Sequence, residues 1–320
     1  MSSVRTIVVD PRAPGRLGVT HVDAPQPGPA EALVRVEATS LNRGDLLAAQ
    51  QADAGWRPGH DIAGTVITAA ADGSGPKTGS RVVGLLDAGA WAEQVAVATD
   101  RLAELPGTVS FAQASTLPTA GLTAHRALEK GGLLLGKRVL ITGSTGGVGL
   151  FAHQLAKHSG AFVVGTSRQA RHETTVRELG ADEVVVGEDL SPARAHGPYH
   201  LIVESLGGAA LKTAMGLLAP GGTCVSLGWS ASPHAEVDLR EFLATGGGNL
   251  YGLRMYSELI GRPASDDLDL LARMVSTQDL RIPIEAQGSW DDVGRIAQDL
   301  LDRKFTGKAV LHLGAGSLLA

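Results

Sequence analysis

The spacing of hydrophobic positions changes about a third of the way along the chain. Up to about Leu117 they fall in short runs separated by turn residues. Runs at Thr6 to Asp10, Ala32 to Val36, Gly64 to Ile67, Arg81 to Leu85 and Ala92 to Val97 predict strands. Pro25-Gln26-Pro27-Gly28-Pro29 predicts a stiff loop. A small, irregular β-rich domain accounts for this part. From about Pro118 apolar runs alternate with segments of helical period. Strands are expected at 139–142, 162–166, 184–186, 201–203 and 223–227, with helices at 148–159, 170–179 and 209–218 between them. Near-continuous apolar strands alternating with helices predict a doubly wound parallel sheet covered on both faces. Asn249 to Leu253 is expected as a sixth, edge strand. Helices near Asp267 to Ser276 and Asp291 to Leu301 follow, and Ala309-Val310-Leu311 is expected to return to the first domain. The fold class read from this pattern is α/β. Residues 1–117 and 254–320 are assigned to the β-rich domain and 118–253 to the parallel-sheet domain.

The turn between the strand at 139–142 and the helix at 148–159 reads Gly143-Ser144-Thr145-Gly146-Gly147-Val148-Gly149. A strand, a glycine turn and a helix in that order suit a dinucleotide diphosphate. Residues without side chains let backbone N–H groups and the helix N-terminus approach the phosphates. The strict G-x-G-x-x-G frame is not met, because Ser144 holds the first glycine position while Gly146 and Gly149 fill the others. Close helix–strand packing alone also selects glycine, but the flanking strand, helix and further βαβ repeat favour a dinucleotide site. The helix places Val148, Phe151 or Ala152, Leu155 and Ala156 on one stripe, leaving its N-terminus to face a ligand.

NAD sites usually carry Asp or Glu about 20 residues further on, to hold the ribose 2′-hydroxyl. No acidic residue occurs between Leu150 and His172; the second strand instead ends Gly165-Thr166-Ser167-Arg168-Gln169-Ala170-Arg171. Hydroxyls at Thr166 and Ser167 and cations at Arg168 and Arg171 suit a 2′-phosphate, so NADP(H) is the expected cofactor. Solvated arginines at a helix start are the plainer alternative.

Composition narrows the classes. A chain of 320 residues, 43% apolar and 19% charged, suits two globular domains. No apolar run reaches the roughly 18–20 residues needed to span a bilayer. Met1-Ser2-Ser3-Val4-Arg5 carries no signal-peptide core, so a cytoplasmic protein is expected. The single cysteine, Cys224, excludes an intramolecular disulfide and a multi-cysteine zinc site. The formal charge of −5 comes from scattered residues, which argues against nucleic-acid and membrane partners.

The chain resembles the medium-chain dehydrogenase/reductase superfamily, in its zinc-independent quinone oxidoreductase (zeta-crystallin-like) branch. The resemblance rests on Ser40-Leu41-Asn42-Arg43-Gly44-Asp45, Pro58-Gly59-His60-Asp61-Ile62-Ala63-Gly64-Thr65-Val66 and Gly121-Leu122-Thr123-Ala124. It continues through Gly146-Gly147-Val148-Gly149, Leu179-Gly180-Ala181-Asp182, Leu218-Ala219-Pro220-Gly221-Gly222 and Gly307-Lys308-Ala309-Val310. It implies a GroES-like β domain and a Rossmann domain with the cofactor in the cleft between them. Zinc members of the superfamily use a Cys, a Gly-His-Glu and a second Cys. Here Asn42 stands at the first position, His60 is followed by Asp61, and no Cys lies near Pro118 to Gly121. One histidine and one carboxylate fall short of the three ligands of catalytic zinc. No metal is expected, and His60 is read as a structural residue of its turn. His196 and His200 flank Gly197 and Pro198, which reads as a surface loop.

Without zinc no Lewis acid polarises a carbonyl, which favours quinones and conjugated enones as acceptors. By resemblance Asn42 lies near the nicotinamide ribose and Thr123 near the nicotinamide. Leu227-Gly228 and Leu250-Tyr251-Gly252 supply backbone contacts to the carboxamide, and Lys308 reaches the phosphates. Plainer roles are Asn42 as a turn former, Thr123 as a helix cap and Tyr251 as dimer-interface packing. Asp45 and Tyr251 are the remaining candidate catalytic groups: Asp45 anchors the loop bearing Asn42, Tyr251 donates a proton if it faces the cleft, and solvent supplies it otherwise. The expected activity is NADPH-dependent reduction of a quinone or similar acceptor. The alternatives are reduction of enoyl or alkenal double bonds, and non-catalytic NADPH binding. Family analogy implies a homodimer paired through Asn249 to Leu253.

Overall fold

The computed structural model describes residues 3–313 of the chain. Contacts divide it into two units, one built from the chain up to Leu122 and from Leu259 onward, the other from Thr123–Glu258. In chain order the first segment carries β1 (Ser3–Val9), β2 (Leu17–Asp23), β3 (Glu31–Leu41), α1 (Arg43–Gln51), β4 (Asp61–Thr68), β5 (Arg81–Leu85), β6 (Gln94–Ala98), β7 (Leu102–Glu104) and α2 (Phe111–Ser115). A π-helical turn at Leu117–Gly121 leads into α3 (Leu122–Glu129). Then come β8 (Arg138–Ile141), α4 (Gly147–His158), β9 (Phe162–Ser167), α5 (Glu173–Glu178), β10 (Glu183–Val186), β11 (Tyr199–Glu204), α6 (Gly208–Met215), β12 (Leu218–Ser226), α7 (Leu239–Ala244) and β13 (Asn249–Gly252). The chain closes with α8 (Met255–Gly261), α9 (Ser265–Ser276), β14 (Ile284–Ser289), α10 (Val293–Leu301) and β15 (Lys308–His312).

In the first unit β1 and β2 form a hairpin, and a second sheet runs β14-β15-β3-β4-β5-β7 with β6 also on β3. Its core gathers Ile7, Val34, Leu46, Ile62, Trp91, Val95 and Ile296. The last strand returns to this unit as expected, antiparallel to β3 with Ala309 opposite Leu41. That register sets Lys308 beside the residue after β3, which is Asn42. In α10 the apolar Val293, Ile296 and Ala297 recur at helical spacing and are the buried residues.

The second unit holds a six-stranded sheet in the order β10-β9-β8-β11-β12-β13, with every pair parallel. Renumbered within the unit this is 3-2-1-4-5-6, the Rossmann order, whose switch point lies between β8 and β11. β10 and β13 are the two edge strands, and all four residues of β13 are exposed. The fold is therefore a β-rich GroES-like unit plus a doubly wound Rossmann unit.

The hydrophobic pattern does not predict β2, β7, β14, α1, α2, α3, α7 or α8, and for two of these the reason is plain. β2 buries only Leu17, so it has no apolar signature and forms by pairing along the whole of β1. Nine-residue α1 buries Asp45 with Leu46 and Ala49, a mixed face that periodicity misses.

Candidate functional site

The glycine turn occupies the switch point of the Rossmann unit. Gly143 adopts φ +63°, and a Cβ there would lie 2.4 Å from the Ser205 hydroxyl oxygen of the neighbouring β11 loop. A Cβ at Gly149 would lie 2.6 Å from the Gly143 carbonyl oxygen and 2.8 Å from that of Ser144. Gly149 is closed to a side chain by backbone approach, and Gly143 by its left-handed φ and the Ser205 hydroxyl. Gly146 precedes α4 without a side-chain cap, so the first N–H groups of a twelve-residue helix stay open to a ligand. Gly146 is exposed and Gly147 and Val148 are half-buried. The turn thus fits an anionic diphosphate.

Ser144, at the position of the missing glycine, is fully buried. Its hydroxyl donates to the Ile141 carbonyl (3.1 Å) and accepts from the Thr166 N–H (2.8 Å). That bond ties the end of β9 to the turn, setting Thr166, Ser167 and Arg168 beside it. Thr166 and Ser167 are buried, and the Ser167 hydroxyl donates to the Gln169 carbonyl. Arg168 is exposed and forms no ion pair among the described residues; Arg171 donates from Nε to His172 Nε2 at 3.2 Å. Burial and the Arg171 charge hold His172 below the usual histidine range.

Leu227 and Gly228 follow the C-terminal end of β12, and a Cβ at Gly228 would lie 2.9 Å from the Ser205 carbonyl oxygen. Leu250, Tyr251 and Gly252 lie on β13 beside Cys224, Val225 and Ser226. The Tyr251 hydroxyl bonds Glu258, whose carboxylate also accepts from Lys130 (2.9 Å), and the Lys130 ammonium lies 4.4 Å from the Tyr251 ring centroid. Tyr251 is therefore held by an ion pair that sequence reading missed. Thr123 is buried in α3. His200 accepts from the Arg138 N–H at 3.1 Å.

In the first unit the predicted residues Asn42, Asp45 and Lys308 meet in one buried polar network around Asp61, which the sequence had left without a role. Asp61 is fully buried and accepts from Ser40 Oγ (2.7 Å), Asn42 Nδ2 (2.8 Å), the Thr119 N–H (2.8 Å) and Thr119 Oγ1 (2.5 Å). Lys308 donates to Asn42 Oδ1 at 2.7 Å and stands 4.0 Å from Asp61. Asn42 also donates to Asp45 at 3.3 Å, and Asp45 in turn bonds His60 Nδ1. Burial works against charge on His60, but the Asp45 hydrogen bond and the two carboxylates outweigh it and raise its pKa. Burial lowers that of Lys308 against the pull of Asp61 and Asp45. Asn42 precedes α1 yet makes no capping bond, because its amide is committed to the network.

Lys308, the residue expected at the phosphates, is held inside this network. Its side chain is 2% exposed, and the pairing of β15 with β3 turns its ammonium inward onto Asn42. Gly59, next to His60, adopts φ +95°, and a Cβ there would fall 2.2 Å from the Trp91 ring. The histidine loop is thus pressed onto the core.

Residues 28–107 match the alcohol dehydrogenase GroES-like domain and 147–273 the zinc-binding dehydrogenase family. A chloroplastic quinone-oxidoreductase homolog of Spinacia oleracea is 33% identical over 235 residues, 67% of this chain and 71% of that protein. The chain belongs to the medium-chain dehydrogenase/reductase superfamily, in its quinone oxidoreductase branch. The quinone oxidoreductase structure from Coxiella burnetii is 25% identical with a TM-score of 0.83, covering 98% of this chain and 100% of that one. The 2-methylene-furan-3-one reductase of Solanum lycopersicum is 30% identical over 234 residues, 67% of this chain and 59% of that protein. The chain spans less than two thirds of several relatives, 8% to 9% of two polyketide synthase proteins among them. This quinone oxidoreductase family binds a nicotinamide cofactor, in keeping with the cradle at Gly143–Gly149. Among the described residues no helix is long and apolar enough to cross a membrane.

Proposed function

We propose that the chain is an NADPH-dependent oxidoreductase that passes hydride to a quinone or similar conjugated acceptor without zinc. The uncapped helix α4 at the Rossmann switch point carries this reading. Backbone amides at Gly147 and Val148 hold the diphosphate, and bare Gly146, whose own N–H donates to the Gly143 carbonyl, lets it approach. Arg168, with Ser167, Thr166 and Arg171 near it, holds the 2′-phosphate; an exposed cation without a carboxylate partner supports that choice over NADH. Bound NADPH supplies the hydride. Leu227, Gly228, Leu250, Tyr251 and Gly252 and Thr123 present backbone and hydroxyl groups to the nicotinamide end. Both donors of the Asn42 amide are used, so Asn42 offers only an acceptor lone pair, which suits a ribose hydroxyl.

The reading without zinc rests on the same network. His60 is bonded to Asp45, and Asp61 accepts four hydrogen bonds beside the Lys308 ammonium. A cation at Asp61 would have to displace these donors. Solvent supplies the proton, because Tyr251 is tied to Glu258. The exposed edge strand β13 suits pairing with a second copy in a homodimer.

The resemblance to an enone reductase of tomato favours a second reading, reduction of a conjugated carbon–carbon double bond. Steady-state assays with 1,4-benzoquinone, an enone and an enal, each with NADPH and NADH, test both. Turnover of the quinone with NADPH supports the first reading; turnover of only the enone or enal supports the second. Tight NADPH binding without oxidation by any acceptor refutes both.

A further inference from the structure

The first unit contains an open pocket of about 520 Å³ lined by Pro25, Gly55, Trp56, Arg57, Leu86, Gly89 and Val95, among others. None of these residues belongs to the cofactor cradle or to the Asp61 network. Such a volume is within the range of about 300–1,000 Å³ of small-molecule sites. Its walls are mostly apolar, and Arg57 is the one charged residue lining it.

Arg57 is the unusual member. Its Nε is enclosed by protein and has no hydrogen-bond partner, and Nη2 reaches the Gly89 carbonyl only at 3.5 Å, the outer limit of a bond. It takes part in no ion pair among the described residues. The neighbouring acid, Asp87, is paired with Arg101 at 2.8 Å. Burial lowers the Arg57 pKa, and no carboxylate opposes that shift. Gly89, at φ +77°, brings bare backbone beside the guanidinium, where a Cβ would stand 3.6 Å from Nε.

Nε is out of a ligand's reach, but Nη1 makes no hydrogen bond among the described residues and is not enclosed, and a half-buried guanidinium with a spare donor is costly unless an anion answers it. The planar donor fork matches a carboxylate in two-point fashion, and apolar walls beside it match an apolar body. We propose that this pocket binds a small organic carboxylate, with its charged end on Arg57 and its apolar body against Trp56, Leu86 and Val95.

Isothermal titration of the full chain with benzoate, benzamide and inorganic phosphate at low ionic strength tests this. Benzoate should bind the unaltered protein, weaken as KCl is added, and lose at least tenfold in affinity in Arg57→Gln, with a smaller loss in Arg57→Lys. Benzamide and phosphate should each bind at least tenfold more weakly than benzoate. Absence of benzoate binding, or equal binding by Arg57→Gln, overturns the proposal. So does benzamide or phosphate binding as tightly as benzoate. The salt dependence needs no variant, so it decides the matter even if Arg57→Gln folds poorly.

Discussion

His153 offers a stringent test of how the Rossmann unit is held together. It sits on α4, fully buried, and neither ring nitrogen has a hydrogen-bond partner. Its Cε1 lies 2.8 Å from where a Cβ on Gly165 would stand, so it is wedged between the cofactor helix and β9. Burial depresses its pKa from 6.5 to about 3. The unfolded chain therefore binds a proton below pH about 6.5 that the folded chain refuses until about pH 3. Stability attributable to this site falls as the pH drops through that window, by up to about 1.4 kcal/mol per pH unit. Between pH 7 and pH 5 the loss is about 2 kcal/mol.

His153→Leu removes the titration and two unsatisfied nitrogens, each costing about 1–3 kcal/mol when buried. The variant should be more stable than the parent at pH 7, and its advantage should grow by about 2 kcal/mol on going to pH 5. Urea unfolding followed by circular dichroism at pH 7, 6 and 5 measures both effects. The remaining histidines and the carboxylates titrate alike in the two proteins, so the difference isolates one proton. Parallel stability curves, or a less stable variant, would show that the ring is not held neutral against an apolar wall.

Three further substitutions address the proposed site. Lys308→Met strands Asn42 Oδ1 and removes the cation beside Asp61, and should cost about 3–5 kcal/mol in urea unfolding; a loss below about 1 kcal/mol would mean the network is dispensable. Arg168→Ala should weaken NADPH binding about tenfold or more and leave NADH little changed, since a tenfold change corresponds to about 1.4 kcal/mol; equal losses for both cofactors would refute its role at the 2′-phosphate. Tyr251→Phe should leave a pH-independent hydride transfer rate unchanged in stopped-flow oxidation of NADPH, whereas a large loss would make the tyrosine a proton donor.

The Rossmann unit was legible because its signals are local. Val139-Leu140-Ile141 and the glycine turn stand together in the chain, and the same short range that makes Gly149 obligatory makes it readable. The Asp61 network was not legible as a unit. Asn42 and Lys308 are 266 residues apart, and only the antiparallel register of β15 on β3 brings them together. Asp61 was weighed solely as an insufficient zinc ligand, since a sequence does not reveal that Ser40 and Thr119 donate to it. The one available signal was the clustering of Ser40, Asn42, Asp45 and Asp61 around two strand ends, polar residues where apolar ones were expected. Lys308 was assigned to the phosphates by resemblance alone, and no local signal shows that strand pairing sets its ammonium on Asn42.

The same network makes Asn42 harder to replace than a turn former would be. Its two amide hydrogens go to Asp61 and Asp45 and its oxygen accepts from Lys308, which fixes the orientation of the amide. Asn42→Asp keeps the shape but turns both donors into acceptors facing two carboxylates. Such carboxylates cannot all stay ionised at close range, so folding raises a carboxyl pKa within the cluster. A carboxyl whose folded pKa is raised takes up its proton more readily when folded, so acid relieves the strain and rising pH restores it. The variant's stability deficit should therefore be larger at pH 8 than at pH 5 in matched urea titrations. Asn42→Ala, which adds no charge, should show no such growth. A deficit for Asn42→Asp that does not change with pH would mean that Asn42 does not sit between Asp45 and Asp61 as a donor, and its assignment as a pure acceptor toward a ribose hydroxyl would fall with it.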